Sequence, residues 1–364
     1  LYQHKALELK PNLAEAHCNL GNILQDLGKL KEAELSTRKA IQLNPNYSEA
    51  YSNLGNILKD LGKLKEAELS LNKSIELKPK FTTAIMNRWQ LFFDQGKFDL
   101  ALKDADSCNT KQSRACALET LHALGRIDEI YKRIEQTSTI DDENIRLAAF
   151  SSFISEQEKK GTANNFCRNP FTFLYFSNLK FHLKDYEEFI KKIINELASI
   201  QNIWEPPKKA THGGFQTPMH INLFSNSSEN ISSLKSIILN ELDSYYSKFK
   251  KESCSYIQKW PSKKNLKAWH VILKKQGYQE AHIHPAGWLS GVIYLKVVPS
   301  LGQNEGAIEF SLNGPNYSNI NSPKLIHNPK EGDVVLFPSS LFHRTIPFST
   351  DTDRIVIAFD LIPD

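Results

Sequence analysis

The sequence predicts a multidomain α + β chain: an N-terminal α-solenoid of helical hairpins, then a C-terminal domain of short β-strands. Three observations carry this. Proline recurs at Pro11, Pro45 and Pro79, a period of 34 residues. Apolar spacing is helical up to Trp204 and shifts to period two after Gly213-Gly214, the two repeats that separate helix from strand. Between them Trp204-Glu205-Pro206-Pro207-Lys208-Lys209 cannot continue a helix.

The first 107 residues carry the period. Asn19-Leu20-Gly21 returns as Asn53-Leu54-Gly55 and decays to Asn87-Arg88-Trp89. Gly28, Gly62 and Gly96 keep the same step, as do Ala33, Ala67 and Ala101. Each unit reads as two amphipathic helices around a glycine turn, with the glycine where a left-handed residue is wanted. Each proline starts the connection to the next unit, and the alanines let paired helices approach closely. The opening Leu1-Tyr2-Gln3-His4-Lys5 run reads as the last helix of a repeat cut open, so a fragment is expected.

From about residue 85 the period blurs. His122 to Glu129 reads as a helix–turn–helix corner, Asp141-Asp142-Glu143-Asn144 as a helix start, and Asp185 as the start of an amphipathic helix running toward Ile200. The expected organisation is repeats over 1–107, degenerate helical repeats capping them over 108–204, and a β domain over 205–364. Phe171, Phe173, Leu174, Tyr175 and Phe176 read as core of the helical cap.

In the β half, Met219–Phe224 is expected as a strand and Ser228–Lys250 as one amphipathic helix, with Asn226 and Glu229 at its start. Strands are expected at Trp269–Leu273, Trp288–Val297, Ala307–Leu312, Asp333–Phe337 and Arg354–Leu361. Short strands separated by turn residues suit a β-sandwich or small barrel.

Composition narrows the function classes. Over 364 residues the net charge is only +4, which gives no warrant for a nucleic-acid partner. No apolar run reaches a membrane-span length. The five cysteines form no Cys-x-x-Cys pair and suit reduced, buried thiols, so a cytoplasmic location is expected.

The 34-residue period and its marks resemble the tetratricopeptide repeat family. Such units stack because none buries its apolar face alone, and the concave wall is a frequent binding surface. Asn19, Asn53 and Asn87 then line that wall. Their amides offer donors and acceptors that hold an extended peptide backbone without reading its side chains. The expected partner is a protein or peptide in the solenoid groove. The structural rival is that these asparagines cap or solvate their helices.

Toward the C-terminus lie His282-Ile283-His284, Gly291-Val292-Ile293-Tyr294-Leu295, Asn304 to Phe310, Gly332 to Pro338, His343 and Arg354. Two histidines two apart on a strand share a face, and a third imidazole completes one side of a metal while leaving the other open. The order of these segments resembles the 2-oxoglutarate- and iron(II)-dependent oxygenases, in particular their prolyl-hydroxylase-like branch, over roughly residues 205–364. The resemblance implies a double-stranded β-helix (jelly-roll) and a dioxygenase, a hydroxylase, using Fe(II) and 2-oxoglutarate, with ascorbate as a candidate reductant. It implies that His282 and His343 ligate iron. It also implies that Arg354 pairs with the distal carboxylate of 2-oxoglutarate, its planar fork matching a carboxylate, with Tyr294 helping to hold the same group.

His284 stands where that family carries a carboxylate. Three accounts stay open. In the first, His282, His284 and His343 form an all-histidine set. In the second, Glu280 or Glu309 supplies the carboxylate. In the third, His284 is the first ligand and Ala286 holds the carboxylate position. Arg354 alone could instead join a surface ion pair with Asp351 or Asp353. His220, His270 and His327 need no metal, Trp269 and Trp288 read as core, and Lys274 and Lys275 as a solvated face. The functional rivals are an oxygenase-like adaptor that has lost turnover, and an enzyme acting on a small molecule with repeats that serve only oligomerisation.

Overall fold

The computed structural model describes residues 13–206, 209–218, 220–225, 228–299 and 302–364. Contacts between residues divide the chain into two compact units, 1–130 and 131–364.

The first unit is a run of helical hairpins. Its helices are α1 (Ala14–Asp26), α2 (Leu30–Leu43), α3 (Ser48–Asp60), α4 (Leu64–Leu77), α5 (Thr82–Asp94), α6 (Phe98–Cys108) and α7 (Lys111–Ala123). Helix α8 (Ile127–Thr137) runs through the division between the units. Gly28, Gly62, Gly96 and Gly125 make the turns with φ of 72°, 75°, 70° and 70°. That left-handed conformation strains any side chain with a Cβ. Ala33, Ala67 and Ala101 are fully buried, as close packing of paired helices requires. Pro45 and Pro79 follow the ends of α2 and α4; Pro11 lies outside the described residues.

Side chains one repeat plus one residue apart meet along the first helices of the hairpins. The Asn53 amide donates to Cys18 Sγ (3.1 Å), the Asn87 amide to Ser52 Oγ (3.1 Å), and the Gln25 amide to Asp60 (2.6 Å). Asn19 is exposed. Asn53 and Asn87 therefore each spend one N–H on the neighbouring hairpin and keep their remaining amide groups.

The second unit is a curled antiparallel sheet, a jelly-roll, with helices on one face. Helix α9 (Ile145–Gln157) starts at Asn144, whose side chain accepts from Leu147 N. Helices α10 (Tyr186–Leu197), α11 (Glu229–Phe249) and the short α12 (Ser255–Gln258) follow. Ser228 caps α11 by accepting from Ile231 N at 3.2 Å; Asn226, expected at that start, lies outside the described residues.

The strands are β1 (Tyr175–Asn178), β2 (Ile203–Trp204), β3 (Thr211–Gln216), β4 (Asn265–His282), β5 (Leu289–Lys296), β6 (Ile308–Ser311), β7 (Lys324–His327), β8 (Asp333–Pro338), β9 (Phe342–Thr345) and β10 (Arg354–Ile362). Their order is β1-β8-β5-β10-β4-β9-β6-β7, with β3 pairing β2 and β4.

Strand β4 joins the two halves of the sheet. Its first part, Asn265–Leu273, pairs with β10, and its end, at Gln279 and His282, pairs with β9. The change of partner comes at Gln276, with φ of 62°, and Gly277, whose absent Cβ would collide with the Gly213 and Lys274 carbonyl oxygens at 2.6 Å.

Two expectations need correction. Met219 lies outside the described residues, and 220–224 forms a turn rather than a strand. Pro218 cannot donate to a ladder. The Asn222 side chain also takes over strand-like bonding, accepting from Ala268 N (2.9 Å) and donating to Leu266 O (3.0 Å). Residues 175–178, expected within helical repeats, are strand β1, paired in register with β8.

Period two sorts strand β10. Ile355, Ile357, Phe359 and Leu361 pack into the core beneath helices α9–α12, beside Leu234, Ile238 and Tyr245. Arg354, Val356, Ala358, Asp360 and Ile362 face a cavity of about 370 Å³ on the other side.

Candidate metal centre

Both parts of β4 line the cavity, with Lys267 and Trp269 from the first and Gln279 and His282 from the end. His282 on β4 and His343 on β9 are direct cross-strand partners, so their side chains emerge together on one face. His284 follows two residues on. The ring centroids are 4.4 Å apart for His282–His343, and 5.1 Å for both His282–His284 and His284–His343. One ligand atom from each of the three lies within 4.8 Å of the others.

All three rings are held the same way round. Nδ1 of His282 lies 2.7 Å from Glu280 O, and Nδ1 of His343 lies 3.2 Å from Leu341 O. A carbonyl oxygen only accepts, so these Nδ1 atoms carry the hydrogen and each Nε2 keeps a bare lone pair. Nδ1 of His284 lies 2.6 Å from Asp360 Oδ1, a carboxylate in the role the carbonyls play for the other two. Burial, then the neighbouring imidazoles, depresses the His343 pKa well below its ordinary value. Burial, then the neighbouring His284 imidazole, brings His282 down to about 4. Both are neutral at pH 7, as metal ligands must be.

Beyond the histidines, Arg354 and Tyr294 share the cavity. Arg354 is buried at 2% exposure and Tyr294 at 0%. Arg354 Nε donates to Gly306 O at 3.1 Å. Its Nη1 and the Tyr294 hydroxyl find no partner among the described residues. Unpaired buried donors are costly, and two of them on residues that line one cavity suit an anionic ligand with two acceptor oxygens. Asp353 and Asp351 pair with Lys274 (2.6 Å) and Lys275 (3.2 Å). A surface ion pair for Arg354 is therefore not what forms.

Neither alternative carboxylate joins the cluster. Glu280 is exposed and sits 3.1 Å from His212. Glu309 is held bidentately by Arg344 at 2.9 and 3.0 Å. Trp288 is core, donating its indole N–H to Tyr256 O. Trp269, expected in the core, instead lines the cavity, its ring 5.5 Å from that of His284. Sequence reasoning missed Asp360, which meets the His284 ring, and Ser290, which donates to Asp360. The available signal was period two: Asp360 is in phase with Arg354 on an otherwise apolar strand.

This is a jelly-roll with a three-imidazole cluster and an orphaned arginine–tyrosine pair in one cavity, joined in the same chain to helical repeats. Residues 267–360 match the family model described as "Putative 2OG-Fe(II) oxygenase", and residues 14–47 and 48–81 match the tetratricopeptide repeat model. The chain thus combines an N-terminal stretch that matches tetratricopeptide repeats with a C-terminal stretch that matches that oxygenase family.

No curated protein matches the chain. Among solved structures, YrrB, described as "a TPR protein with an unusual peptide-binding site", is 18% identical, covering 44% of this chain and 84% of its own, with a TM-score of 0.36. MamA is 22% identical, covering 37% and 81%, with a TM-score of 0.34. A Pseudomonas putida prolyl-4-hydroxylase is 10% identical, covering 52% and 92%, with a TM-score of 0.38. These likenesses say nothing of activity. Among the described residues no helix is long and apolar enough to cross a membrane.

Proposed function

We propose that the C-terminal domain is an active 2-oxoglutarate- and Fe(II)-dependent dioxygenase, a hydroxylase, whose repeats bring a protein or peptide partner to it. The observation that carries this reading is the conjunction in one cavity of three like-oriented imidazoles with the unpaired Arg354 Nη1 and Tyr294 hydroxyl. The residues fit the implied groups. Imidazole nitrogens suit iron, and three on one side leave positions for other ligands. Arg354 and Tyr294 are donors placed for a carboxylate.

His282, His284 and His343 would hold the metal through Nε2. Arg354 and Tyr294 would bind and orient the 2-oxoglutarate carboxylate. Val356, Ala358 and Trp269 form an apolar wall of the same cavity. When bound, Fe(II) and 2-oxoglutarate supply the activation of oxygen that is coupled to oxidative decarboxylation. Tethering a partner raises its local concentration, so the cavity need not bind it tightly. A cytoplasmic location, and ascorbate as a candidate reductant, belong to this same reading.

One observation favours a rival: the cluster contains no carboxylate, which suits an adaptor that no longer turns over. Anaerobic addition of Fe(II) and 2-oxoglutarate decides between them. The enzyme develops a visible charge-transfer band and, on admitting oxygen, releases succinate. No band and no succinate would establish the adaptor.

A further inference from the structure

The carboxylate missing from the cluster stands one step behind it. Asp360 is 8% exposed. Its Oδ1 lies 2.6 Å from His284 Nδ1 and accepts from Ser290 Oγ at 2.7 Å. Ser290 is in turn 2.8 Å from Ser339 Oγ, and Ser339 O accepts from His284 N at 3.0 Å. Strand register holds this arrangement, since Asp360 is the cross-strand partner of Ser290. Space is tight as well: a Cβ on Gly287 would meet Ser339 Oγ at 2.7 Å and the Asp360 carboxyl carbon at 3.1 Å.

A buried carboxylate ordinarily has a cationic partner. Among the described residues no Lys or Arg nitrogen lies within ion-pair distance of Asp360; its one ion-pair contact is His284. The carboxylate thus faces the cluster through an imidazole. Two histidines and a carboxylate would bring one negative charge to a metal, whereas three neutral imidazoles bring none. Resting on the oxygenase reading, we infer that Asp360 is a positioning residue that replaces the absent ligand carboxylate from behind His284. It holds His284 with Nδ1–H toward itself and Nε2 toward the metal, and it returns the missing negative charge to the site. Carboxylates behind ligating histidines fix the ring and raise its basicity.

Cobalt(II) titration of metal-free protein, read by the visible ligand-field band, tests this without turnover. Asp360→Asn keeps the shape and removes the charge, and it should weaken Co(II) binding roughly 10–100-fold. His284→Asp moves a carboxylate into the cluster beside Asp360, where two like charges crowd each other. In that background Asp360→Asn should strengthen binding, reversing its sign. Binding by Asp360→Asn within threefold of wild type, or equal weakening in both backgrounds, would overturn the inference and leave the oxygenase reading intact. Absence of cobalt binding by the wild-type protein would overturn both. Selective ¹⁵N-histidine labelling of the metal-free wild-type protein reads the tautomer with no variant at all. Nδ1–H at His284 is expected, and Nε2–H there defeats the proposal.

Discussion

The guanidinium of Arg354 lies over the ring of Tyr294, 5.0 Å from its centroid. Both side chains are buried, and Arg354 Nη1 and the Tyr294 hydroxyl have no hydrogen-bond partner among the described residues. Burial pushes the Tyr294 hydroxyl up to about 12, with Arg354 opposing, so the phenol stays a hydrogen-bond donor across the physiological range. Arg354→Lys keeps the charge but loses the planar fork. Loss of a charged hydrogen bond, about 1.5–3 kcal/mol, should weaken 2-oxoglutarate binding roughly 10–100-fold. Calorimetry on Mn(II)-loaded protein under anaerobic conditions measures it, and Mn(II) affinity itself should not move.

Removing a ring of the cluster should act differently. His343→Ala deletes the direct partner of His282 and should abolish metal binding at micromolar Co(II). The neighbouring surface variant Lys275→Ala should bind as wild type does. Equilibrium dialysis with metal analysis distinguishes the two.

His270 makes a stability prediction. It is fully buried, with Nδ1 2.9 Å from Thr217 Oγ1 and Nε2 without a partner among the described residues. Burial depresses its pKa to about 4 from the ordinary 6.5. Between those values the unfolded chain takes up a proton that the folded chain refuses. Stability from this residue is therefore complete above pH 6.5 and falls as the pH drops to 4, by up to about 3 kcal/mol. Below pH 4 the loss levels off. Denaturant unfolding at pH 7 and pH 5 should show a smaller decline for His270→Asn than for wild type. An equal decline would mean that other groups govern the acid limb.

Gly291 lies opposite Phe359 across β5 and β10. A Cβ there would sit 2.2 Å from the Phe359 ring, inside the core beneath the helices. Gly291→Ala should destabilise the second unit by about 1–3 kcal/mol through overpacking. Thermal unfolding of the whole chain measures it. Gly291→Ala with Phe359→Leu should recover part of the loss.

In the repeats, the double variant Asn53→Ala, Asn87→Ala removes amides that keep unspent donors and acceptors beyond their bonds to Cys18 and Ser52. Peptides selected from a displayed random library on the wild-type protein should bind the variant at least tenfold more weakly. Partner-free succinate production should be unchanged. Undiminished peptide binding would assign these asparagines to holding neighbouring hairpins together.

Much of the architecture could be read from local patterns. The 34-residue step of Gly28 and Gly62 marks a turn that needs only its own residues, because a left-handed φ is a property of one position. The alternation of Arg354-Ile355-Val356-Ile357 likewise needs only the pleat of one strand. Residues 220–224 and 175–178 escaped because distant partners decided them. Asn222 replaced a strand's bonds from the side, and β8 recruited Tyr175–Asn178 as a neighbour.

The candidate site divides along the same line. His282, His284, His343, Arg354 and Tyr294 announce themselves by residue type and order, which are chemical facts of the chain. That Glu309 belongs to Arg344, that Trp269 faces the cavity, and that Asp360 stands behind His284 depend on register and on the turn of β4 at Gln276 and Gly277. Side-chain partners far apart in sequence are fixed by how strands pair and bend, and a one-residue slip would send each to the opposite face.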